Sequence, residues 1–245
     1  MSAGIREIGI ITTPTDQAAF KRLLGDGSSF GIEITYLVQP KPEGLAQAFI
    51  IGEDFIGNSP ICLILGDNIF HGADLDASLK RDFTQSEARI FAYEVDNPQE
   101  YGVVEFDSNG RAISIEEKPV APKSKFAVPG IYFYQNSVVE VAKRIKPSSR
   151  NELEITEVNN HYLDLGKLEV VMLAKGTAWL DTGTVDSMFA AANYIKVIED
   201  RQGRKIGCPE EIAFLNQWIK REQLTSYIKS RPGNSYLNYL KKLIN

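Results

Sequence analysis

The sequence predicts an α/β protein with a Rossmann-like, mostly parallel mixed sheet, a small antiparallel section and a helical C-terminal tail. Up to residue 83, apolar strand-like runs alternate with amphipathic segments, which favours βαβ units. Three short strand-like runs then follow closely, and an Asp-Ser-Asn-Gly turn at 107–110 joins the last two as a hairpin. From residue 203 onwards the remaining segments read as helices.

The predicted strands are short apolar runs that end at turn residues. The first, over residues 5–13, is β-branched and does not alternate cleanly, so it reads as a buried parallel strand that stops at Thr13-Pro14. The run at 61–65 is the most apolar and ends in Gly-Asp-Asn. The full set of predicted strands covers residues 5–13, 34–38, 61–65, 90–95, 102–106, 112–117, 130–134, 168–173 and 178–180.

The predicted helices have apolar residues at helical spacing and helix-ending residues at their boundaries. The first ends at Gly25, as helices commonly do. The set covers residues 16–24, 45–55, 75–83, 138–145, 153–165, 184–202, 210–219, 223–228 and 236–244. Because the sequence contains no repeat, low-complexity stretch or flexible linker, it predicts a single domain over residues 1–245, in which 203–245 form a helical extension.

Composition excludes several classes of protein. With 27 basic and 32 acidic residues the net charge is −5, which argues against a nucleic-acid partner because such proteins carry a basic face. A content of 43% hydrophobic and 24% charged residues is typical of a globular chain, and no apolar run is long enough to cross a bilayer. Two cysteines and two histidines argue against a disulfide framework and a His-rich zinc site. We therefore expect a cytoplasmic protein without a membrane partner.

Two acidic residues follow apolar strands, where ligands bind in open α/β sheets. Asp67 follows Leu-Ile-Leu-Gly, and Asp181 follows Ala-Trp-Leu. Two carboxylates facing one crevice suit Mg²⁺, which takes oxygen ligands and shares its shell with substrate phosphates. From position alone, the alternative is that each aspartate caps the following helix or turn.

Other polar residues stand at strand or helix ends. Lys118 could meet a phosphate as a point charge, or could simply be part of a solvated strand end. Strand alternation places it opposite Glu117 unless the chain turns at the following proline. Gln39 and Gly44 flank a proline-stiffened loop that could read a base edge, or could form an ordinary turn. Four further positions serve either packing or ligand contact: Tyr101, Gly102, Tyr132 and Glu154. The glycine-rich stretch at 25–31 lacks the Gly-Lys-Ser/Thr of a phosphate loop, and no G-x-G-x-x-G follows a strand.

A set of longer strings closely resembles the sugar-nucleotide pyrophosphorylase family, and within it the glucose-1-phosphate thymidylyltransferases. The strings keep the family's order over residues 4–214: GIREIGIITTP, RLLGDGS, VQPKPEGLAQAFIIGEDFIG, LILGDNIFHG, YGVVEFD, AISIEEKP, GIYFY, NELEIT, WLDTGT and CPEEIAF. The combination of LGDNIF, EEKP and WLDTG is specific. The resemblance implies the fold of the nucleotide-diphospho-sugar transferases.

The resemblance also implies a reaction, in which dTTP and α-D-glucose 1-phosphate give dTDP-glucose and pyrophosphate with Mg²⁺ as cofactor. The family's catalytic positions match Asp67 and Asp181, which would hold Mg²⁺, and Lys118, which would bind the sugar phosphate. Gln39 and Gly44 match the positions that read thymine. The remaining substrate-binding positions, which line or adjoin the glucosyl pocket, match Tyr101, Gly102, Glu117, Val128, Tyr132, Glu154 and Trp179.

Two departures from the family pattern bear on activity. Family members open with a strand, a GGxGTRL loop and a KQLLP-like string, whereas this sequence begins with the segment that normally follows them. We therefore expect an N-terminally incomplete member that is poorly active alone, because the loop would supply N–H groups to the triphosphate. In addition, Pro129 stands where the family usually has threonine, which removes a backbone donor beside the sugar pocket. The alternatives are a non-catalytic relative that binds nucleotide sugars, and a pyrophosphorylase for another base or sugar.

The family also implies a homo-oligomer, expected to be a tetramer, and feedback by a dTDP-sugar such as dTDP-rhamnose. It further implies a place in dTDP-rhamnose and polysaccharide biosynthesis. These expectations rest on the resemblance alone.

Overall fold

The computed structural model describes residues 1–81 and 86–244, and within them the chain is a mixed α/β protein. The strands are β1 (Glu7–Thr12), β2 (Glu33–Val38), β3 (Ile61–Ile64), β4 (Asn68–His71), β5 (Ala88–Glu94), β6 (Gly102–Phe106), β7 (Ala112–Glu117), β8 (Phe126–Ala127), β9 (Ile131–Tyr134), β10 (Leu168–Met172) and β11 (Ala178–Asp181). The helices are α1 (Gln17–Leu24), α2 (Gln47–Ile51), α3 (Glu53–Ile56), α4 (Leu75–Lys80), α5 (Val138–Arg144), α6 (Ile155–Asp164), α7 (Val185–Gln202), α8 (Pro209–Leu215), α9 (Arg221–Lys229) and α10 (Ser235–Leu243). None of the helices in these described residues is long and apolar enough to span a membrane.

The α/β class and the helical C-terminus are confirmed, and most predicted elements occur near their predicted bounds. The helix predicted at 45–55 is divided at Gly52 into α2 and α3. The helix predicted at 75–83 is present as α4, and its last two positions lie outside the described residues. Two strands, β4 and β8, were not predicted.

Chain contacts group the residues into two compact units. The first contains residues 1–38 and 181–245, and the second contains residues 39–180. Two such units can be parts of one domain, so the single domain with an extension at 203–245 stays a prediction.

In the first unit, β1 and β2 form a parallel pair with Glu7 opposite Glu33 and Thr12 opposite Val38. The three C-terminal helices α8, α9 and α10 bury one apolar cluster. Its fully buried members include Cys208, Ala213 and Leu224. The α7 helix begins with a capping box in which Thr184 and Ser187 satisfy each other's backbone N–H groups.

The second unit contains a seven-stranded sheet with the order β3-β9-β5-β8-β6-β7, and β10 also pairs with β5. The prediction that the sheet is mostly parallel is wrong for these ladders. Only the β10–β5 ladder is parallel, and the other five are antiparallel. The physical reason is that β9 lies between β3 and β5 and runs against both of them. Strands that are buried on both faces have the same apolar pattern in either direction.

The core of the second unit lies between this sheet and the helices α2, α5 and α6. Phe49 from α2 meets Tyr134 from β9 edge-on, with the ring centroids 5.3 Å apart. The hydroxyl of Tyr134 donates to Asn159 Oδ1 of α6 at 2.5 Å, so this buried phenol is satisfied. The packing holds α6 against the sheet that carries Gly102, Glu117 and Tyr132.

Candidate functional site

Strands β6 and β7 and the residue after β8 bring three predicted sugar-site positions together. Gly102 at the start of β6 is opposite Glu117 at the end of β7. The carbonyl of Gly102 accepts the backbone N–H of Val128 at 2.8 Å. A side chain at position 102 would meet the Glu117 carboxylate at 3.4 Å, so glycine leaves room beside that acid. The arrangement is an open polar edge next to a buried valine.

Lys118 has an unusual backbone conformation, which shows that strand alternation does not continue from Glu117 through Lys118. Its φ is +43°, in the left-handed region that non-glycine residues seldom adopt, and its backbone N–H donates to the carbonyl of Tyr101 at 3.0 Å. The chain therefore turns at Lys118 itself, one residue before Pro119. Strain of this kind is concentrated at functional sites. The side chain is exposed.

Glu117 takes part in a charged network with residues that precede and begin α6. Its Oε2 accepts the Thr156 hydroxyl, and its Oε1 lies 3.4 Å from Arg150 Nη2. Arg150 also donates to both oxygens of Glu154, at 3.0 Å and 2.9 Å from Nη2 and at 3.2 Å from Nε. Ser148 adds a hydroxyl donor to Glu154 at 2.7 Å. One arginine therefore joins two of the predicted sugar-site carboxylates.

Within this network the buried carboxylate and the accessible cation have different roles. The side chain of Glu154 is 9% exposed, whereas that of Arg150 is 40% exposed. The hydrogen bonds to Glu154 raise the pKa of Arg150, so the guanidinium stays charged. Sequence reasoning missed Arg150, because nothing in its local string distinguishes it from a solvated loop arginine. The charge and spacing of Arg150 and Glu154 would have predicted only a weak local pair.

The loop that contains Gln39 and Gly44 is fastened to the start of α6. The backbone N–H of Leu153 donates to the carbonyl of Glu43 at 2.7 Å, and the Leu153 carbonyl accepts from Ala46 at 3.0 Å. Gly44 has φ +107°, and a Cβ there would lie 2.4 Å from both the N and the O of Leu153. Glycine is required for this close approach of two backbones.

The side chain of Gln39 is oriented by a second glutamine. Its Nε2 donates to Gln47 Oε1 at 2.6 Å, and the same oxygen accepts the backbone N–H of Glu43. Gln47 Nε2 in turn donates to the Glu43 carboxylate at 2.7 Å. The Gln39 amide is therefore held in one orientation, as a base-reading amide needs to be. Sequence reasoning did not single out Gln47.

Tyr132 is a core residue of the sheet. It is 3% exposed, is opposite Leu63 in the β3–β9 ladder and stacks on Tyr134 with the ring centroids 6.4 Å apart. Burial, with a smaller contribution from the nearby charge of Glu117, raises the pKa of the Tyr132 hydroxyl well above its ordinary value. Its contact with a sugar stays a prediction.

Asp67 is connected to the aromatic part of the site through Asn68, which the sequence reasoning did not select. Asn68 Nδ2 donates to Asp67 Oδ1 at 2.8 Å. Its Oδ1 accepts from Trp179 Nε1 at 2.6 Å and from the backbone N–H of Gly130 at 3.1 Å. The Trp179 ring packs against Tyr101 with the centroids 4.9 Å apart. The signal in the sequence is the Asp-Asn pair that follows an apolar strand.

The second predicted metal ligand, Asp181, is the last residue of β11 and lies in the first unit. Its Oδ1 accepts the backbone N–H of Gly183 at 2.9 Å, which is the capping contact that the sequence left open as an alternative. Residues 1–81 and 86–244 contain no group of three or more His, Cys, Asp or Glu side chains that could hold a metal. Carboxylate oxygens are nevertheless the donors that Mg²⁺ prefers, so the chemistry of the two aspartates fits the ion.

Comparison with known proteins identifies the family to which the chain belongs. Residues 1–197 match the sequence profile of the family described as nucleotidyl transferase. A glucose-1-phosphate thymidylyltransferase from Neisseria meningitidis is 54% identical over 245 residues, which are all of this chain and 85% of that protein. The enzyme of the same name from Mycolicibacterium smegmatis is 55% identical over 242 residues, 99% of this chain and 84% of that protein.

Solved structures agree. A structure from Bacillus anthracis, provisionally named a glucose-1-phosphate thymidylyltransferase and bound to sucrose, matches with a TM-score of 0.70 and 40% identity over 77% of this chain and 76% of that one. A UDP-glucose pyrophosphorylase bound to UDP-glucose matches with a TM-score of 0.65 over 79% of this chain and 82% of that one, and at 23% identity it supports the fold alone.

The fold and the profile match define the class as nucleotidyl transferases, which are enzymes. Identity above 50% over essentially the whole chain narrows it further. The chain belongs to the nucleotidyl transferase family, in its glucose-1-phosphate thymidylyltransferase branch.

Proposed function

We propose that this chain converts dTTP and α-D-glucose 1-phosphate into dTDP-glucose and pyrophosphate. The observation that carries the proposal is the identity of 52–55% to curated glucose-1-phosphate thymidylyltransferases along the whole chain. An oxygen of the sugar phosphate attacks the α-phosphorus of dTTP in line, a new P–O bond forms, and the bond to the β-phosphate breaks as pyrophosphate leaves. No covalent enzyme intermediate is needed, so the protein contributes positioning and charge neutralisation.

Glu117 is proposed to accept hydroxyl groups of the sugar. The Thr156 hydroxyl and the Arg150 guanidinium hold its carboxylate, and Gly102 leaves space beside it. A held acceptor loses little side-chain freedom when the sugar binds. Val128 and Tyr101 are proposed as the apolar and aromatic walls of the same pocket.

Lys118 is proposed to bind the sugar phosphate as a point charge. Its left-handed backbone ends the β7 strand and is fastened by the hydrogen bond to Tyr101. The strained turn therefore gives the lysine a fixed starting point next to Glu117. A lysine on a regular strand would stand on the opposite face.

Gln39 is proposed to read the thymine edge with its amide, which Gln47 already orients. Gly44 is proposed to act indirectly, because its close approach to Leu153 sets the course of the loop that carries Gln39. This makes base recognition dependent on the loop before α6.

Asp67 and Asp181 are proposed to hold Mg²⁺, the ion that their donor atoms fit. When bound, Mg²⁺ neutralises charge on the triphosphate and orients it. In this proposal the two carboxylates would hold the ion, and Asn68 orients the carboxylate of Asp67.

The decisive experiment measures pyrophosphate release by the purified 245-residue chain with a panel of nucleoside triphosphates and sugar 1-phosphates. We expect release with dTTP and glucose 1-phosphate above every other pair. Glu117→Gln should reduce the rate, whereas Glu116→Gln, a change at its exposed neighbour, should not. No release with any pair would contradict the proposed activity of this chain, and preference for another pair would assign another base or sugar.

Assembly, regulation and pathway are proposed on the family resemblance. They are a homo-oligomer, expected to be a tetramer, and feedback inhibition by a dTDP-sugar. The proposed setting is dTDP-rhamnose synthesis for polysaccharide in the cytoplasm. Light scattering after size exclusion tests the assembly, and inhibition of pyrophosphate release by dTDP-rhamnose tests the feedback.

A further inference from the structure

Asn68 makes three side-chain hydrogen bonds that together join separate parts of the candidate site. Its Oδ1 accepts from the Trp179 indole at 2.6 Å and from the Gly130 backbone at 3.1 Å, and its Nδ2 donates to Asp67 Oδ1 at 2.8 Å. The side chain is partly buried. It is the first residue of the short strand β4, and Trp179 lies on its partner strand β11.

The hydrogen-bonding groups around Asn68 dictate which way its amide points. An indole N–H and a backbone N–H can only donate, so both require the amide oxygen. The amide nitrogen is therefore turned towards Asp67, whose carboxylate accepts. Reversing the amide would place a donor against two donors and an acceptor against a carboxylate, which would lose all three hydrogen bonds.

Trp179 is itself fixed by neighbouring rings. Tyr93 meets it edge-on with the centroids 5.7 Å apart, and Tyr101 packs at 4.9 Å. The Tyr93 hydroxyl donates to the Thr177 carbonyl at 3.1 Å, which holds that ring as well. The indole N–H therefore points at Asn68 from a rigid aromatic group.

Gly130 provides the other fixed point. Its carbonyl accepts the backbone N–H of Leu65, and a Cβ at position 130 would lie 2.7 Å from Asn68 Oδ1. The Gly130 backbone is thus held against the Asn68 amide, two residues after Val128, which is proposed to line the sugar pocket. Asn68 has one rigid donor on each side of its oxygen.

We infer that Asn68 is a positioning residue that fixes the Asp67 carboxylate relative to the Trp179 and Gly130 side of the sugar pocket. The inference rests on the proposed function, in which Asp67 holds Mg²⁺. It predicts that a change at the indole affects the metal requirement through the amide. Partners of metal ligands typically change affinity or activity by roughly 10- to 100-fold when removed.

The experiment compares Asn68→Leu, Trp179→Phe and the double variant with wild type. Asn58→Ala, at an exposed turn position, is the matched control. One readout is the Mg²⁺ concentration that gives half-maximal pyrophosphate release. The other is the indole N–H resonance of Trp179, distinguished from that of Trp218 by Trp218→Phe and followed in a titration with Mg²⁺ and dTTP without sugar phosphate.

We expect Asn68→Leu to raise the half-maximal Mg²⁺ concentration roughly 10-fold or more, and Trp179→Phe to raise it less. The double variant should be no worse than Asn68→Leu alone, because both changes break one chain of hydrogen bonds. In wild type the Trp179 resonance should move when Mg²⁺ and dTTP are added, and in Asn68→Leu it should not. Asn58→Ala should match wild type in both readouts.

An unchanged Mg²⁺ requirement in folded Asn68→Leu, or additive effects in the double variant, would overturn the inference. If Asn68→Leu does not fold, an unchanged requirement in Trp179→Phe would overturn it. If wild type releases no pyrophosphate, the proposed function fails, but the resonance titration still decides on Asn68. If the wild type is active but its Trp179 resonance does not move when Mg²⁺ and dTTP are added, the inference about Asn68 fails while the proposed function stands.

Discussion

Substituting Gly44 by alanine tests whether this glycine serves the nucleotide directly or through the backbone. Alanine at φ +107° occupies a region that costs an L-residue about 1–2 kcal/mol. Its Cβ would also lie 2.4 Å from the backbone N and O of Leu153, so the two chains must separate. Separation breaks the two hydrogen bonds that link Leu153 to Glu43 and Ala46, each worth about 1 kcal/mol. The total is about 3–4 kcal/mol.

A loss of that size should lower the melting temperature by roughly 6–16 °C, since 1 kcal/mol corresponds to about 2–4 °C for a chain of this length. The assay is thermal unfolding followed by circular dichroism, together with the KM for dTTP. Gly57→Ala is the control, because φ there is +53° but no atom lies within 4 Å of the added Cβ. Equal destabilisation by Gly44→Ala and Gly57→Ala would refute the backbone argument, as would a raised KM for dTTP with unchanged stability.

Three further predictions concern the backbone at Lys118, the buried carboxylate of Glu154 and the two cysteines. Because φ at Lys118 is +43°, the Lys118→Gly variant should be more stable in urea unfolding than the Lys118→Ala variant, by about 1 kcal/mol. Both variants should lose activity. A more stable alanine variant would contradict the argument that the backbone is strained at this position. Glu154→Gln should lower the free energy of unfolding by about 2 kcal/mol, because charged hydrogen bonds to a buried carboxylate are lost. The control is Glu152→Gln: the Glu152 side chain is 45% exposed, so this change should lower the free energy of unfolding by less than about 1 kcal/mol. Burial raises the pKa of the Cys62 thiol to about 12 and also raises the pKa of the Cys208 thiol. Both thiols should therefore react slowly with a thiol reagent at pH 8.5 in the folded protein and rapidly after unfolding. Rapid labelling of either cysteine in the folded protein would contradict this prediction.

The sequence predicted strands well and strand direction poorly, for a physical reason. The β-branched, apolar residues of runs such as β1 and β3 predict strands from the local sequence alone. The position of β9 between β3 and β5 depends on contacts between distant segments, and a run buried on both faces carries no sign of its direction. The strand β8 has two residues, so only its partners β5 and β6 define it.

The candidate site shows the same division. Residues with chemistry in a local motif, such as Asp67, Glu117 and Lys118, were selected from the sequence. Arg150 and Asn68 were not, because their importance lies in the partners that folding provides. The amide of Asn68 meets a tryptophan 111 positions later in the chain, and no local pattern encodes that contact.

Hydrogen bonds from neighbouring residues orient two of the predicted site residues. The Glu117 carboxylate is oriented by the hydrogen bonds that it accepts from Thr156 and Arg150. The same holds for Gln39 through Gln47. Side chains fixed in advance lose little conformational entropy on binding, so more of the interaction with substrate is available for the transition state. On this argument, Thr156→Val should weaken glucose 1-phosphate binding, because Glu117 would lose the hydroxyl donor that orients it.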